Sequence, residues 1–195
     1  MAIGRPRAFD KDRALDQALN VFWQKGYEGA SIAHLTKAMG INPPRLYAAF
    51  GNKEKLFRQV LDRYQASGRE SMERAFAAPT AREAMRLLLQ GTADRLSGKT
   101  NPEGCLLVSG ALSGDEECEA MKCELAARRA ANEALIRERL KHAKKAGDLP
   151  DDADPAALAR FVTTVMQGMA VQAAGGATPK QLRDIASLAL NAWPS

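Results

Sequence analysis

Polar and basic side chains that could contact a polyanion stand close together between residues 42 and 53. Asn42 and Arg45 stand where a short helix is expected to begin, and a guanidinium there can reach guanine O6 and N7 or a phosphate. Tyr47 and Lys53 follow one helical turn or more further on, which suits them to phosphate contacts. Pro44 fits the first turn, where N–H groups have no partner within the helix. The chemistry of this cluster is hydrogen bonding and ion pairing to a nucleic acid.

Two short helices around a glycine turn would position these side chains. Ser31 can cap the first helix, and Gly40 ends it with a residue that tolerates positive φ. We expect Pro43 at the cap of the second helix and Pro44 at its first position, which leaves Asn42 just outside the helix to bond a base or a phosphate. The pattern predicts a helix-turn-helix whose second helix enters a DNA major groove. Its expected core consists of Ile32, Leu35, Met39, Ile41, Leu46 and Phe50.

The rest of the chain favours an all-α fold of about nine helices. Aromatic residues make up only 6% of the sequence, alanine is abundant, and there is no alternating β-branched run. Gly26 and Gly147 are expected to stop the first and seventh helices, and the long fourth helix should reach Phe76. We predict a DNA-binding domain over 1–55 and a helical ligand-binding and dimerisation domain over 56–195. The expected N-caps or first residues of the nine helices are Asp10, Ser31, Pro43, Asn52, Thr80, Cys105, Ser113, Asp154 and Thr178, with capping boxes at Thr80, Ser113 and Thr178.

Charge and cysteine usage restrict the class of protein. Residues 1–55 hold nine Lys and Arg against five Asp and Glu, which is most of the net charge of +5. No N-terminal apolar stretch resembles a signal peptide, so we expect a cytoplasmic protein, and the uncharged segment 161–177 is too short and too polar to span a membrane. Three cysteines argue against a disulfide framework. Neither a metal site nor a cofactor is expected.

Cys105 is the one side chain outside the basic cluster whose setting could support chemistry. It follows Gly104 at the start of a short apolar helix that is expected to end at Leu112. A thiol in the first turn of a helix lies at the positive end of the helix dipole, which favours the thiolate. The alternative is a small buried packing residue, because free cysteine is among the most buried residue types.

The last two helices are expected to form a homodimer interface. Between Pro155 and Ala177 the only charged residue is Arg160. One face of each helix would complete the protein's own core, and the remaining apolar surface needs a second partner, which a two-fold dimer on a palindromic operator would provide. We place the interface on 158–169 and 182–189, with these apolar residues: Leu158, Phe161, Val162, Val165, Met169, Leu182, Ile185, Leu188 and Ala189.

The first third of the chain resembles the TetR family of bacterial transcription regulators. The resemblance rests on three segments, Gly-Tyr-Glu-Gly-Ala-Ser-Ile from residue 26, Ala-Met-Gly-Ile from residue 38, and Leu-Tyr-Ala-Ala-Phe-Gly-Asn-Lys-Glu-Lys-Leu-Phe from residue 46. It implies a homodimeric repressor of nine or so helices, with a variable pocket for a small-molecule effector enclosed by helices four to eight. A Gly-Cys-Leu segment like 104–106 occurs in members that sense electrophiles or oxidants through that cysteine.

The resemblance also implies roles for single residues. Tyr47 and Lys53 match the family's phosphate-contacting tyrosine and lysine, and Ser31, like Asn42 and Arg45, matches a position that often touches DNA. Two residues depart from the family pattern. Ala49 replaces a common histidine that contacts the backbone, and Pro43 replaces a common lysine or glutamine, which moves base reading towards Asn42 and Arg45. The basic arm at 4–7 would either enter the adjacent minor groove or remain a solvated tail.

Other function classes fit the sequence less well. The two histidines, His34 and His142, lie far apart, and the chain has no glycine-rich phosphate loop and no Cys/His metal spacing, so an enzyme lacks its usual residues. An architectural DNA-binding protein would not need the roughly 140 residues behind the helix-turn-helix. We therefore expect a DNA-binding regulator, most readily a repressor released by a small molecule, with an architectural protein or an activator of the same fold as alternatives.

Overall fold

A computed structural model describes residues 9–97, 104–109 and 119–194, and every regular element in these residues is an α-helix. The all-α prediction is therefore confirmed for the described part of the chain. Its nine helices are α1 (Lys11–Gly29), α2 (Ile32–Met39), α3 (Pro43–Phe50), α4 (Lys53–Phe76), α5 (Ala81–Leu96), α6 (Leu106–Ser109), α7 (Glu119–Lys145), α8 (Pro155–Ala174) and α9 (Pro179–Asn191).

Side-chain caps begin most of these helices as the sequence predicts. Asp10, Asn52 and Asp154 each accept a hydrogen bond from a backbone N–H in the first turn, which satisfies a donor that has no partner within the helix. At α9 the capping box is complete, because the Thr178 hydroxyl accepts from the Gln181 N–H at 3.3 Å and Gln181 Oε1 accepts from the Thr178 N–H at 2.8 Å.

Two local predictions need correction. The Thr80 hydroxyl accepts from the Glu83 N–H at 3.2 Å, but the Glu83 carboxylate pairs with Arg86 at 2.5 Å and not with the Thr80 backbone, so only half of that capping box forms. Gly26 does interrupt α1, with φ 70° and ψ 177°, yet one more turn follows it as far as Gly29. The ion pair with Arg86 is the stronger partner for a carboxylate, which explains the first difference.

Some predictions concern residues outside the described part of the chain. These are the basic arm at 4–7, the end of the sixth helix at Leu112, and the capping box at Ser113.

An N-terminal core joins α1 to α4 and continues into α6 and α7. Leu35, Met39, Leu46 and Phe50 are buried as predicted, with Ile32 and Ile41 packed against them. Aromatic rings fill much of the remaining volume: the Phe22 and Phe57 centroids lie 4.8 Å apart and those of Tyr27 and Phe57 5.0 Å apart. The core members beyond α4 are Leu106, Leu107, Met121 and Leu125. The division into domains at residue 55 stays a prediction.

A C-terminal core lies between α5, α7, α8 and α9. Its members are mainly aliphatic and small, and α5 packs against both α8 and α9. Three apolar side chains of the last two helices nevertheless stay exposed in the single chain, with 38% of Phe161, 50% of Val171 and 67% of Leu188 accessible to solvent. No helix among the described residues is long and apolar enough to cross a membrane.

Candidate DNA interface and effector pocket

The start of α3 presents the predicted reading residues on an exposed surface. Asn42, Pro43, Pro44 and Arg45 are all exposed, whereas Leu46 behind them is fully buried and anchors the helix. Asn42 is not outside the helix as predicted. It is the N-cap, and its Oδ1 accepts from the Arg45 N–H at 3.0 Å, so Pro43 takes the first helical position. The amide nitrogen of Asn42 remains available as a donor to DNA.

Ser31 and His34 cap α2 together. The Ser31 hydroxyl oxygen accepts from the His34 N–H at 3.1 Å, and His34 Nδ1 lies 3.4 Å from the Ser31 nitrogen and 3.1 Å from the Gly29 carbonyl oxygen. The structure gives the His34 ring a capping role that the Ser-x-x-Glu/Gln pattern does not reveal. The Ser31 hydroxyl hydrogen can still be donated to a phosphate.

Arg45 packs against Phe9, an aromatic residue that precedes α1. Its guanidinium carbon lies 5.0 Å from the centroid of the Phe9 ring, and Phe9 in turn meets Phe50 edge-on at 6.0 Å. Phe9 therefore packs against the N-terminal core. A single phenylalanine next to the Asp10 cap was the only signal in the sequence, and it resembles the apolar residue that often precedes a helix cap.

Tyr47 and Lys53 differ in how firmly they are held. Tyr47 is 48% exposed on α3, as a phosphate-contacting side chain would be. Lys53 is half-buried, with Nζ 4.5 Å from the Tyr27 ring centroid and 3.3 Å from the Glu28 carbonyl oxygen to which it donates. These contacts hold the ammonium beside the end of α1.

A cavity of about 120 Å³ lies between α4, α5, α6, α7 and α8. This enclosure by helices four to eight matches what the family resemblance implied. Aliphatic and methionine side chains form part of the wall, together with amides and three arginines. The apolar lining residues include Met72, Leu96, Val108, Leu135, Ile136 and Met166.

Cys105 lines this cavity. It is the residue immediately before α6, and not the first residue of that helix as predicted. Its carbonyl oxygen accepts from the Val108 N–H at 2.9 Å, and its side chain is half-buried. The Tyr64 hydroxyl of α4 donates to Cys105 Sγ over 3.1 Å. Burial raises the pKa of the Tyr64 phenol well above its usual value, so the phenol stays protonated and keeps this donor.

Tyr64 also contacts the helices that present the reading residues. Its ring meets Trp23 of α1 edge-on, with centroids 5.0 Å apart and an interplanar angle of 84°. The same side chain therefore touches the cavity at one end and the first helix of the N-terminal core at the other. The sequence gives no sign that the Tyr64 hydroxyl meets Cys105, because the two residues lie 41 positions apart.

Ion pairs tie α4 to its neighbours on either side of Tyr64. Arg63 binds both oxygens of Asp16 on α1, at 2.5 and 2.8 Å, and also Asp12 at 2.9 Å. Arg128 of α7 binds Asp62 at 2.7 Å. A displacement of α4 would therefore be transmitted to α1 through polar as well as aromatic contacts.

Two family models match the chain over both of its cores. Residues 14–60 match "Bacterial regulatory proteins, tetR family", and residues 81–189 match "Tetracyclin repressor-like, C-terminal domain". The chain belongs to the TetR family. It is therefore a DNA-binding transcription regulator with an N-terminal helix-turn-helix and a helical C-terminal domain, as the sequence predicted.

Individual TetR-family proteins resemble the chain along nearly its whole length. The HTH-type transcriptional repressor ComR of Escherichia coli strain K12 is 34% identical over 98% of this chain and 92% of ComR. The repressor BdcR of the same strain is 33% identical over 95% of this chain and 90% of BdcR. A solved structure of a cysteine mutant of the regulator CifR, complexed with 26-base-pair double-strand operator DNA, superposes with a TM-score of 0.92, is 46% identical, and covers 97% of this chain and 100% of that chain.

Among the described residues there is no group of three or more His, Cys, Asp and Glu side chains that could hold a metal ion. The predicted DNA contacts and Cys105 remain predictions, to which the structure adds Phe9, Tyr64 and Arg63 as residues that hold or connect them.

Proposed function

We propose that this TetR-family protein is a homodimeric repressor that binds a palindromic operator through α2 and α3 and leaves it when a small molecule occupies the α4–α8 cavity. Solved relatives bound to operator DNA and relatives named as repressors support this proposal. The observation that carries the release step is Tyr64, which contacts Cys105 at the cavity and Trp23 on α1. A ligand that displaces Tyr64 alters the packing of α1. This changes the distance between the two helix-turn-helix units of the dimer.

Dimerisation through the last two helices completes this proposal. Phe161 and Val171 on α8 and Leu188 on α9 are exposed in the single chain. A two-fold axis on this surface would pack α8 and α9 of each copy into a four-helix bundle and set two recognition helices on one operator. We infer a cytoplasmic protein from its DNA target, and a regulatory role without catalysis of its own.

Operator binding is the direct test. Double-stranded DNA from upstream of the protein's own gene is titrated at fixed moderate salt, with random-sequence DNA of equal length as competitor. A specific regulator prefers its operator by at least roughly 10³-fold, whereas an architectural protein binds both DNAs alike. Transcription from the same DNA then separates a repressor, which lowers transcript, from an activator, which raises it.

Arg45→Ala tests the reading residue within that assay. Loss of a base-contacting or phosphate-contacting arginine is expected to weaken operator binding by about 1–3 kcal/mol. Arg74→Ala is the matched control, because Arg74 is an exposed arginine near the end of α4 that pairs with Glu70 at 2.9 Å. Equal affinity of both variants would remove Arg45 from the interface.

Modification of Cys105 is a second route to release, favoured by its place in the cavity wall beside Tyr64. With N-ethylmaleimide, the Cys105 sulfur would form a bond to one alkene carbon, and the thiol proton would end on the neighbouring carbon. The adduct then occupies the cavity covalently and displaces the Tyr64 hydroxyl.

Two cysteine variants decide between the routes. The operator complex of the wild type and of Cys123→Ala is expected to dissociate with N-ethylmaleimide, because Cys123 is exposed on α7 and is not among the residues that line the cavity. The Cys105→Ala complex should persist. If the Cys105→Ala complex dissociates as well, the reagent acts through another cysteine and Cys105 is not the sensor. If no complex dissociates, Cys105 is a packing residue and release requires a reversible ligand.

A further inference from the structure

The charge of the cavity wall is one-sided. Arg69, Arg95 and Arg129 line the cavity, and no aspartate or glutamate among the described residues does so. Nearby carboxylates are already bound elsewhere: Asp94 to Arg183 at 2.8 Å, Asp62 to Arg128, and Glu133 to Arg160 at 3.3 Å. The cavity therefore carries positive charge that the described part of the protein does not neutralise.

The Arg95 guanidinium lies against a glycine of α4. Gly68 stands in the interior of α4, where glycine weakens a helix relative to alanine. A Cβ at residue 68 would overlap Nη1 of Arg95, so the missing side chain leaves the space in which the guanidinium lies. Among the described residues Arg95 makes no ion pair of 4.0 Å or less.

The other two arginines have different tasks. Arg129 donates to the Leu107 carbonyl oxygen at 2.6 Å and so holds α6 on α7. Arg69 is exposed at the rim. Arg95 lies near enough to Tyr64 that its charge opposes the burial-driven rise in the pKa of the phenol. An anion bound to Arg95 would therefore also lie next to the Tyr64–Cys105 contact.

We propose that the α4–α8 cavity binds a small organic acid, with its carboxylate on the Arg95 guanidinium and its apolar body against the aliphatic wall. Arginine and a carboxylate form two parallel charge-assisted hydrogen bonds, and Asn132 and Gln167 add amide donors to the same wall. The cavity of about 120 Å³ compares with roughly 150 Å³ for an engineered cavity that holds benzene, so the body is about one ring or a short aliphatic chain. This inference rests on the proposed role of the cavity as the effector site.

Calorimetry with matched acids and amides tests the proposal on the full-length protein. Benzoate is compared with benzamide, and hexanoate with hexanamide, since each pair differs mainly in charge. We expect at least one acid to bind about tenfold or more tightly than its amide, because the charge-assisted pair is lost in the amide. Equal affinity within both pairs, or no binding of either acid, overturns the proposal.

Variants of the cradle identify the arginine. Arg95→Gln is expected to weaken acid binding about tenfold or more while amide binding changes less than about threefold. Gly68→Ala keeps the charge, strengthens the helix and moves the guanidinium, so it should weaken acid binding even if Arg95→Gln folds poorly. Arg74→Gln, a loss of charge outside the cavity, should leave binding unchanged. Unaltered acid binding in both Arg95→Gln and Gly68→Ala overturns the assignment.

Operator binding measured on the same samples separates this inference from the function on which it rests. A wild type that binds operator but neither acid overturns the acid class and leaves the repressor. A wild type that binds benzoate tightly but prefers no operator overturns the repressor and leaves the acid site.

Discussion

The N-terminal and C-terminal cores are built from different side chains. Of the 23 buried members of the C-terminal core, eleven are alanine and one, Trp193, is aromatic. Of the 19 buried members of the N-terminal core, three are alanine and five are aromatic: Phe22, Trp23, Phe50, Phe57 and Tyr64. Large rings in edge and tilted contacts fix the angles between helices, whereas small residues let helices approach closely and shift with little loss of contact. The N-terminal core therefore suits a helix-turn-helix of fixed shape, and the C-terminal core suits a cavity wall that adapts to a ligand.

Helix α4 belongs to the N-terminal core and to the cavity wall, and it connects the two. Its first half contributes Leu56, Phe57, Val60 and Leu61 to the N-terminal core, and its second half lines the cavity through residues such as Gly68 and Met72. Tyr64 lies where the two halves meet. A ligand therefore acts on the more adaptable part of the protein, and α4 carries the displacement to the stiffer part.

The largest effect is expected from removing a ring of the N-terminal core. Phe57 is fully buried between Phe22 and Tyr27. Phe57→Ala should lower the free energy of unfolding by about 3–5 kcal/mol, because it deletes ring contacts and leaves a cavity. Urea denaturation followed by circular dichroism measures this change. A loss below about 1 kcal/mol would mean that the rings do not stiffen this core.

The exposed apolar surface of α8 and α9 is a second difference between the C-terminal and N-terminal cores. Leu188→Glu should weaken the dimer by about 3 kcal/mol, from two symmetry-related leucines at about 1.5 kcal/mol each, or roughly 100-fold in the dissociation constant. Sedimentation equilibrium measures it. Leu87→Glu on α5 is the control, since Leu87 is also exposed, at 37%, but belongs to neither α8 nor α9. Dimers of equal strength in both variants would exclude the α8–α9 interface.

Adding the same volume to each core tests the comparison directly. Ala18→Leu inserts three carbons where α1 has no spare room, and should cost about 1–3 kcal/mol of stability. Ala170→Leu directs the same carbons at the cavity that Ala170 lines, and should cost less than about 1 kcal/mol. Thermal melts of both variants provide the measurement. If Ala170→Leu is the more damaging of the two, the C-terminal core is not the more adaptable one.

A small effect is expected from the Tyr64–Cys105 contact that connects the two cores. Tyr64→Phe keeps the ring against Trp23 but removes the hydrogen bond to Cys105, for a loss of about 0.5–1.5 kcal/mol. Operator binding without effector should be unchanged, while release by N-ethylmaleimide or by a bound acid should be reduced. Release identical to that of the wild type would remove Tyr64 from the connection.

The raised pKa of Tyr64 adds a pH dependence to the same variant. The folded protein holds the phenol proton more tightly than the unfolded chain, so this contribution to stability is complete below a pH of about 10 and is lost as the pH rises above it. The stability of wild type should therefore fall more steeply than that of Tyr64→Phe above that pH. Parallel curves for the two proteins would contradict the burial of the phenol.

Sequence reasoning succeeded where the cause is local. The caps at Asp10, Asn52 and Thr178, the left-handed Gly40 and the buried faces of α2 and α3 depend on residues within about four positions of one another. The error at Asn42 was of the same kind, because two consecutive prolines allow the helix to start one residue earlier than expected. The ring of His34 as a capping partner was missed because the usual glutamate or glutamine is absent.

Contacts between distant parts of the chain were not predictable in this way. Tyr64 and Cys105 are 41 positions apart, and Arg63 and Asp16 are 47 apart. The placement of Arg95 against Gly68 likewise depends on how α5 crosses α4. A helical pattern indicates which face of each helix is apolar. It does not indicate against which other helix that face packs.

The sequence by itself determined the helices, the helix-turn-helix and the basic surface of this TetR-family protein, because hydrophobic period, caps and glycine turns act over a few residues. Only the tertiary structure decided that three arginines share one cavity and that Tyr64 joins this cavity to α1. The physical reason is that helix packing brings together side chains from separate elements, and the charge, space and hydrogen bonds that result belong to the assembled fold.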